Sequence, residues 1–256
     1  MLAAALAVGG LASHPQTAAA AGKKVVIVVG PAGSNTANYI YNAKLLATQA
    51  RSYGATVYQI YSPHATWARV KAYAQGANIL IYLGHGNGYP SPYGPFSAYS
   101  KDGMGLNATD GSSAVKYYGE YYVRTAIKLA PNAVVLLNRL CYASGDSEWG
   151  AANPTLSVAI ARADNFAAGF LRTGARAVFA EGIDSLSFAL SGLFKTNRTM
   201  MQIFYADPAA TRTYAFSFRS SRTSGKIGIM DPYARNRYYK SLVGDIQMTA
   251  TTWRGA

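Results

Sequence analysis

Apolar and polar positions follow one another along this chain in blocks that are typical of an α/β protein. Continuous apolar runs, rich in β-branched residues and closed by Gly, Pro or small polar residues, predict strands that are buried on both faces of a sheet. Five such runs occur, at residues 24–29, 55–61, 78–83, 133–137 and 175–180. The sequence therefore predicts a sheet that is covered on both sides.

Helical periodicity fills the intervals between these runs. Apolar residues recur at helical spacing, and Gly or Pro follows the last turn, in the segments 38–53, 66–75, 117–129, 155–173 and 185–205. Strands that alternate with helices predict a doubly wound, mostly parallel α/β sheet flanked by helices. We expect this domain to span residues 23–208.

Two segments depart from the alternating pattern. Residues 87–113 are rich in Gly, Pro, Ser and Tyr, and such a long connection indicates a functional loop rather than a spacer. Residues 209–256 mix aromatic and basic residues with Gly and Pro. We expect strand and loop there, as a C-terminal extension that packs on the core or forms a subdomain.

The N-terminal segment has the composition of a signal peptide. Residues 1–22 contain no Lys, Arg, Asp or Glu, begin with an Ala-rich apolar stretch and end in small residues that suit cleavage. An Ala-rich disordered tail is the alternative interpretation. No other stretch approaches the ~18 apolar residues of a membrane span, so we expect a secreted or cell-wall-associated protein without one.

The composition makes the single cysteine of the chain informative. A chain of 256 residues with 50% hydrophobic and 14% charged residues is long enough to bury a core. One cysteine cannot form an internal disulfide, and a leftover thiol outside the cell is exposed to oxidation. Cys141 could be a small buried hydrophobe. Its position after Asn138 and Arg139 and before Ser-Gly indicates instead that it lies just beyond the end of a strand.

A histidine occupies a similar position at another strand end. His85 and Gly86 close the 78–83 run, so parallel packing would bring them to the same sheet edge as Cys141. A cysteine nucleophile needs a base and N–H donors for the oxyanion, and a glycine lets the backbone approach the reacting carbonyl. We expect His85 to stabilise a Cys141 thiolate, with the N–H groups of Gly86 and Cys141 as the oxyanion hole.

These residues resemble the caspase-like cysteine peptidases, the group that includes caspases, metacaspases, legumain, clostripain and gingipains. His85 matches the base of that family, Gly86 the glycine after it, Cys141 the nucleophile and Gly145 the glycine just beyond. The resemblance covers residues 24–181. It implies a caspase-like fold and an endopeptidase that hydrolyses peptide bonds through a thioester acyl-enzyme.

Three acidic residues near the expected active edge suggest a specificity. Asp146 and Glu148 follow Cys141, and Asp184 follows the next apolar run. A carboxylate in a substrate pocket favours a basic side chain beside the cleaved bond, so we expect cleavage after Arg or Lys. The alternative is that these are ordinary solvated loop acids.

The remaining polar residues point to no cofactor or metal. His64, His85 and Cys141 lack the close ligand pairs of structural zinc sites, and His64 is interpreted as a surface histidine. Asp102 and Asp110, each followed by Gly, could bind calcium but are typical turn residues. The expected partner is therefore a polypeptide substrate.

The basic charge leaves a second function open. The net charge is +13, and seven basic residues cluster in the C-terminal extension: Arg212, Arg219, Arg222, Lys226, Arg235, Arg237 and Lys240. Secretion argues against nucleic acid as the partner, whereas an acidic cell-envelope polymer would suit such a surface. The alternative function is a non-catalytic module that binds this polymer, or a carbohydrate through its Tyr-rich 87–99 loop.

Overall fold

The computed structural model describes residues 22–255, which form ten strands and seven α-helices. The strands are β1 (Lys24–Val29), β2 (Thr56–Tyr61), β3 (Ile79–Leu83), β4 (Met104–Asn107), β5 (Val115–Tyr118), β6 (Val134–Asn138), β7 (Ala177–Glu181), β8 (Phe216–Arg219), β9 (Ile227–Met230) and β10 (Lys240–Gly244). The helices are α1 (Thr36–Ser52), α2 (Trp67–Ala74), α3 (Glu120–Ala126), α4 (Leu156–Leu171), α5 (Ser187–Lys195), α6 (Met200–Phe204) and α7 (Ala250–Arg254).

Eight strands form one central sheet in the order β2-β1-β3-β6-β7-β10-β9-β8. The first five pair in parallel, as the apolar runs predicted, and β10, β9 and β8 continue the sheet in antiparallel pairing. The predicted class, a mostly parallel α/β sheet flanked by helices, is confirmed.

Successive residues of the central strands face opposite sides of the sheet, which explains why their sequences are apolar throughout. On β1, Val26 and Val28 pack toward α2, α3 and α4, whereas Val25, Ile27 and Val29 pack toward α1, α5, α6 and α7. The two largest buried clusters therefore lie on opposite faces of the sheet.

The region after β3 differs from the prediction. Part of the expected 87–113 loop forms β4, which pairs antiparallel with β5 in a separate two-stranded sheet. The predicted helix at 117–129 is therefore wrong at both ends, because its first residues belong to β5 and its helical part is only α3. Tyr and Val favour strands as well as helical faces, so pairing with β4 decides the outcome.

The predicted helix at 185–205 is wrong in its continuity, since it is divided into α5 and α6. Thr199 caps the N-terminus of α6, and its side chain and that of Gln202 form a reciprocal capping box. This start signal lies inside the apolar pattern and begins a new helix there.

The C-terminal segment contributes β8, β9, β10 and α7, and β10 pairs directly with β7. The segment 1–21, which contains nearly all of the expected signal peptide, lies outside the described residues. Among residues 22–255, no helix is both long and apolar enough to cross a membrane.

Candidate active site

The two predicted catalytic segments lie at neighbouring strand ends. β3 and β6 pair in parallel, with Leu83 opposite Asn138 in the register, and the chain reaches His85 and Cys141 two and three residues later. The two strands are therefore direct neighbours in the sheet. Both segments leave the sheet at its carboxyl edge, where ligands bind in such folds.

Gly86 lies against the backbone of Cys141. A Cβ atom built on Gly86 would collide with the Cys141 carbonyl oxygen and lie 3.0 Å from the Cys141 amide nitrogen, so only glycine fits there without a shift of the backbone. The N–H groups of Gly86 and Cys141 donate no hydrogen bond to another residue within the described part of the chain. Two free amide donors therefore lie close together at this edge.

Buried tyrosine hydroxyls hold the backbone on both sides of His85. The Tyr82 hydroxyl donates to the His85 carbonyl oxygen (3.0 Å) and accepts from the Gly105 N–H (2.8 Å). The Tyr117 hydroxyl accepts from the N–H groups of Asn87 (3.0 Å) and Gly103 (3.1 Å). The 104–118 hairpin thus fixes the His85 turn, while the His85 residue itself is exposed.

Buried polar groups hold the segment that follows this turn. The Lys101 ammonium, 1% exposed, donates to Asn87 Oδ1, Ser91 Oγ and the Tyr93 carbonyl, each at 2.9 Å. Asp102, fully buried and with φ 59°, accepts from the Tyr89 N–H (3.1 Å) through Oδ1. Burial, reinforced by the charge of Glu120, raises the pKa of Asp102 to about 8 despite that hydrogen bond.

The turn before Cys141 is held in an unusual conformation. Arg139 has φ 59°, a left-handed value that is uncommon for a residue with a side chain. Its N–H donates to the Glu181 carbonyl (2.6 Å), and its carbonyl accepts from the Tyr39 hydroxyl (3.2 Å). The neighbouring Asn138 side chain donates to the Asp184 carbonyl (2.6 Å). These contacts from α1 and from the end of β7 position the cysteine turn.

Cys141 lines a cavity of about 600 Å³. Its other lining residues include Tyr39 from α1, Arg139, the loop residues 146–151, and Arg237 and Tyr239 from the segment before β10. Sequence reasoning missed Tyr39 and Arg237 because contacts distant in sequence bring them here. Trp149, 89% exposed, stands at the edge of the cavity, whereas His85 is outside its lining.

The electrostatic environment favours the protonated thiol. Cys141 is half-buried, and burial raises its pKa, with a further upward contribution from the Glu148 carboxylate. This direction opposes the resting thiolate that the sequence predicted, because the nearby charge that acts on the sulfur is negative. Chemistry at Cys141 would need a base that removes the proton during attack.

The structure brings two of the three candidate specificity residues to this cavity. Asp146, 5% exposed, lies with Oδ2 3.7 Å from Arg237 Nε, and burial raises its pKa. Glu148 accepts a hydrogen bond from the Tyr93 hydroxyl (2.6 Å). Asp184 instead lines a separate groove beside α5.

A buried charged cluster lies behind the cavity. The Lys240 ammonium is 2.6 Å from Asp207 Oδ2 and 4.0 Å from Glu181 Oε2. Burial raises the pKa of Glu181 to about 7, against the hydrogen bonds that its Oε1 accepts from the N–H groups of Ile183 and Asp184. Glu181 thus links this cluster to Gly182 and Ile183, which line the cavity.

Several of the C-terminal basic residues serve the interior rather than an outer surface. The Arg222 Nη2 donates to both oxygens of the buried Glu120 carboxylate (2.9 and 2.8 Å), Arg237 reaches the cavity, and Lys240 is in the buried cluster. Fewer of these basic side chains are therefore available on the outer surface than the sequence alone suggested.

Within residues 22–255, no group of three or more His, Cys, Asp or Glu side chains could hold a metal ion. His64 is exposed and pairs with Asp110 (Nδ1 to Oδ1, 3.0 Å), as suits a surface histidine.

Comparisons with known proteins give one likeness in structure. No family model matches this chain, and neither does any curated protein. A secreted C11 cysteine protease from Bacteroides thetaiotaomicron, "iotapain", known from its X-ray structure, is similar at a TM-score of 0.39. The two sequences are 12% identical, and the match covers 82% of this chain and 67% of that one.

Proposed function

We propose that this protein is an exported cysteine endopeptidase in which Cys141 is the nucleophile and His85 the base. The observation that carries the proposal is the close approach of Gly86 to the Cys141 backbone, at the ends of two neighbouring parallel strands and beside a cavity of about 600 Å³. Export rests on the composition of residues 1–22.

The chemistry begins from the thiol, because burial raises the pKa of Cys141. His85 takes the thiol proton as Sγ attacks the scissile carbonyl, and the free N–H groups of Gly86 and Cys141 donate to the developing oxyanion. Collapse breaks the C–N bond, the imidazolium gives its proton to the leaving amine, and a thioester remains. Water, deprotonated by His85, then hydrolyses the thioester and restores the thiol.

The cavity acids support cleavage after Arg or Lys. Glu148 lines the cavity of the nucleophile, and only its Oε1 accepts a hydrogen bond from Tyr93. Its Oε2 could therefore bind a basic side chain of the substrate. Asp146 lies deeper and pairs with Arg237, so we assign it a supporting role. Asp184 lies in another groove and is left out of this proposal.

Peptide-library profiling tests the proposal directly. The wild-type protein should cleave library peptides, whereas Cys141→Ala and His85→Ala should not, and matched Arg, Asp and Leu peptides should rank Arg first. Arg124→Gln, a substitution at an exposed helix position that lines a different cleft, is a control for handling and should remain active. Equal cleavage by wild type and Cys141→Ala would refute the peptidase, whereas a preference for Asp or Leu would refute only the basic specificity.

A second candidate is a non-catalytic module that binds an acidic cell-envelope polymer or a carbohydrate. Two observations favour it: the raised pKa of Cys141, and the position of His85 outside the cavity lining. The exposed Tyr93, Phe96 and Tyr99 of the 87–99 loop would offer stacking surfaces. Polymer binding that survives Cys141→Ala, without hydrolysis by the wild type, would support this candidate.

A further inference from the structure

The side chain of Arg139 is the one charged group of the Cys141 cavity that has no partner within the described residues. Its guanidinium forms neither a hydrogen bond nor an ion pair there, although its Nε is buried. A buried guanidinium N–H without an acceptor is costly, and native structures rarely leave one. The Nε itself is closed to a ligand by its burial, whereas the terminal Nη1 and Nη2 atoms are not buried and have no partner either, so these two atoms are available to a ligand in the cavity.

The other charged residues of the cavity are already engaged. Asp146 lies opposite Arg237, and Glu148 accepts from the Tyr93 hydroxyl. Arg237 also has a buried Nε without a hydrogen-bond acceptor, since Asp146 is 3.7 Å away. Of the two guanidinium groups in the cavity lining, only that of Arg237 lies near a carboxylate.

The backbone holds Arg139 in place at a conformational cost. Its left-handed φ of 59° would suit Gly or Asn better. Contacts from Tyr39 and Glu181 nevertheless fix both its carbonyl and its N–H. The turn itself therefore does not favour an arginine at this position.

We propose that Arg139 forms a carboxylate-binding subsite of the Cys141 cavity, so that a preferred peptide ligand carries a carboxylate in addition to any basic side chain. A guanidinium matches a carboxylate in a planar, two-bond geometry. The carboxylate could be an acidic side chain or the C-terminus of the peptide. The proposal deepens the proposed function, but the subsite can be measured by binding alone.

Binding is measured on the Cys141→Ala protein, which lacks the proposed nucleophile and so should not cleave the peptide. Three matched peptides are used: Ac-Ala-Ala-Gln-Ala-Ala-amide, the same peptide with Glu in place of Gln, and the Gln peptide with a free C-terminal carboxylate. Calorimetry gives the affinities. The fluorescence of Trp149, at the cavity edge, reports occupancy, and Trp149→Phe identifies that signal.

At least one carboxylate peptide should bind about tenfold more tightly than the neutral peptide at low salt. Arg139→Gln should abolish that preference, and Arg139→Asn serves as a second variant because Asn tolerates the left-handed backbone. Arg124→Gln, which removes the same charge from an exposed helix position lining a different cleft, should retain the preference. Whichever carboxylate peptide binds more tightly identifies the source.

Equal affinities for all three peptides, or a preference that survives in both Arg139 variants, would overturn the subsite. The absence of binding by any of them would overturn it as well. These outcomes are distinct from failure of the peptidase proposal. If Cys141→Ala prefers a carboxylate peptide but wild type hydrolyses no peptide, the subsite is retained alone. If wild type hydrolyses peptides but Cys141→Ala shows no preference for a carboxylate, the peptidase is retained alone.

Discussion

Replacing Asp102 by Asn should make the protein more stable at neutral pH. Asp102 is fully buried, its Oδ2 has no hydrogen-bond partner in the described part of the chain, and burial raises its pKa to about 8. The folded protein therefore keeps this carboxyl protonated at a pH where the unfolded chain, with a pKa near 3.8, has released the proton.

The sign and size of the effect follow from that difference in protons. Between about pH 4 and pH 8 the folded state binds one more proton at Asp102 than the unfolded state, so this site lowers the free energy of unfolding by about 1.4 kcal/mol for each pH unit. The contribution is flat below pH 4 and above pH 8. Asn has no such proton, retains an oxygen acceptor for the Tyr89 N–H and tolerates the φ of 59°.

The assay is urea denaturation of wild type and Asp102→Asn at pH 5, 6, 7, 8 and 9 and constant ionic strength. Titrations common to both proteins cancel, so the stability of the variant relative to wild type should rise by about 4 kcal/mol from pH 5 to pH 8 and then level off. Parallel curves for the two proteins would refute the assignment of a raised pKa to Asp102.

Asp245→Asn is a control of opposite sign. Burial opposes ionisation of Asp245, but the hydrogen bond and charge of Arg176 outweigh it and lower its pKa. Its stabilising contribution is present at neutral pH and is lost as the pH falls through the folded-state pKa. Asp245→Asn should therefore be less stable than wild type at pH 7, and the difference should shrink toward acid pH.

Two substitutions test the scaffold of the site. Gly86→Ala should destabilise the protein by about 1–3 kcal/mol and abolish peptide cleavage, because the new Cβ would collide with the Cys141 carbonyl; a fully active, equally stable variant would contradict that close approach. Tyr117→Phe leaves the N–H groups of Asn87 and Gly103 without their acceptor and should cost about 1–3 kcal/mol in urea denaturation. Tyr99→Phe, at a 58% exposed tyrosine, is its matched control, and equal losses in the two variants would count against a role for the Tyr117 hydroxyl.

The parallel part of the sheet could be predicted from sequence because its strands carry their own signal. A strand buried on both faces must be apolar throughout, and β1, β3 and β6 meet that requirement. The 104–118 hairpin gives no comparable signal, since β4 contains Gly and Asn, and pairing between its two strands determines it. For the same reason the predicted helix was started too early, at residue 117, which belongs to β5.

Only the part of the site that lies at the strand ends could be predicted from the sequence. His85 and Cys141 followed from two turns at one sheet edge, but the cavity depends on contacts that local patterns do not encode. Tyr39 reaches Arg139 from 100 residues away, and Arg237 reaches Asp146 from a segment near the C-terminus. Asp184 was expected there because it follows β7, yet its side chain lines a different groove.

The central claim, that Cys141 forms an acyl-enzyme with help from His85, is tested most directly by trapping that intermediate. A peptide 4-nitrophenyl ester is mixed with the protein, quenched in acid and digested at acid pH before mass spectrometry. Wild type should carry the acyl group on Cys141, Cys141→Ala should carry none, and His85→Ala should form the adduct far more slowly. No adduct on Cys141 in wild type, or equal rates with and without His85, would contradict the account.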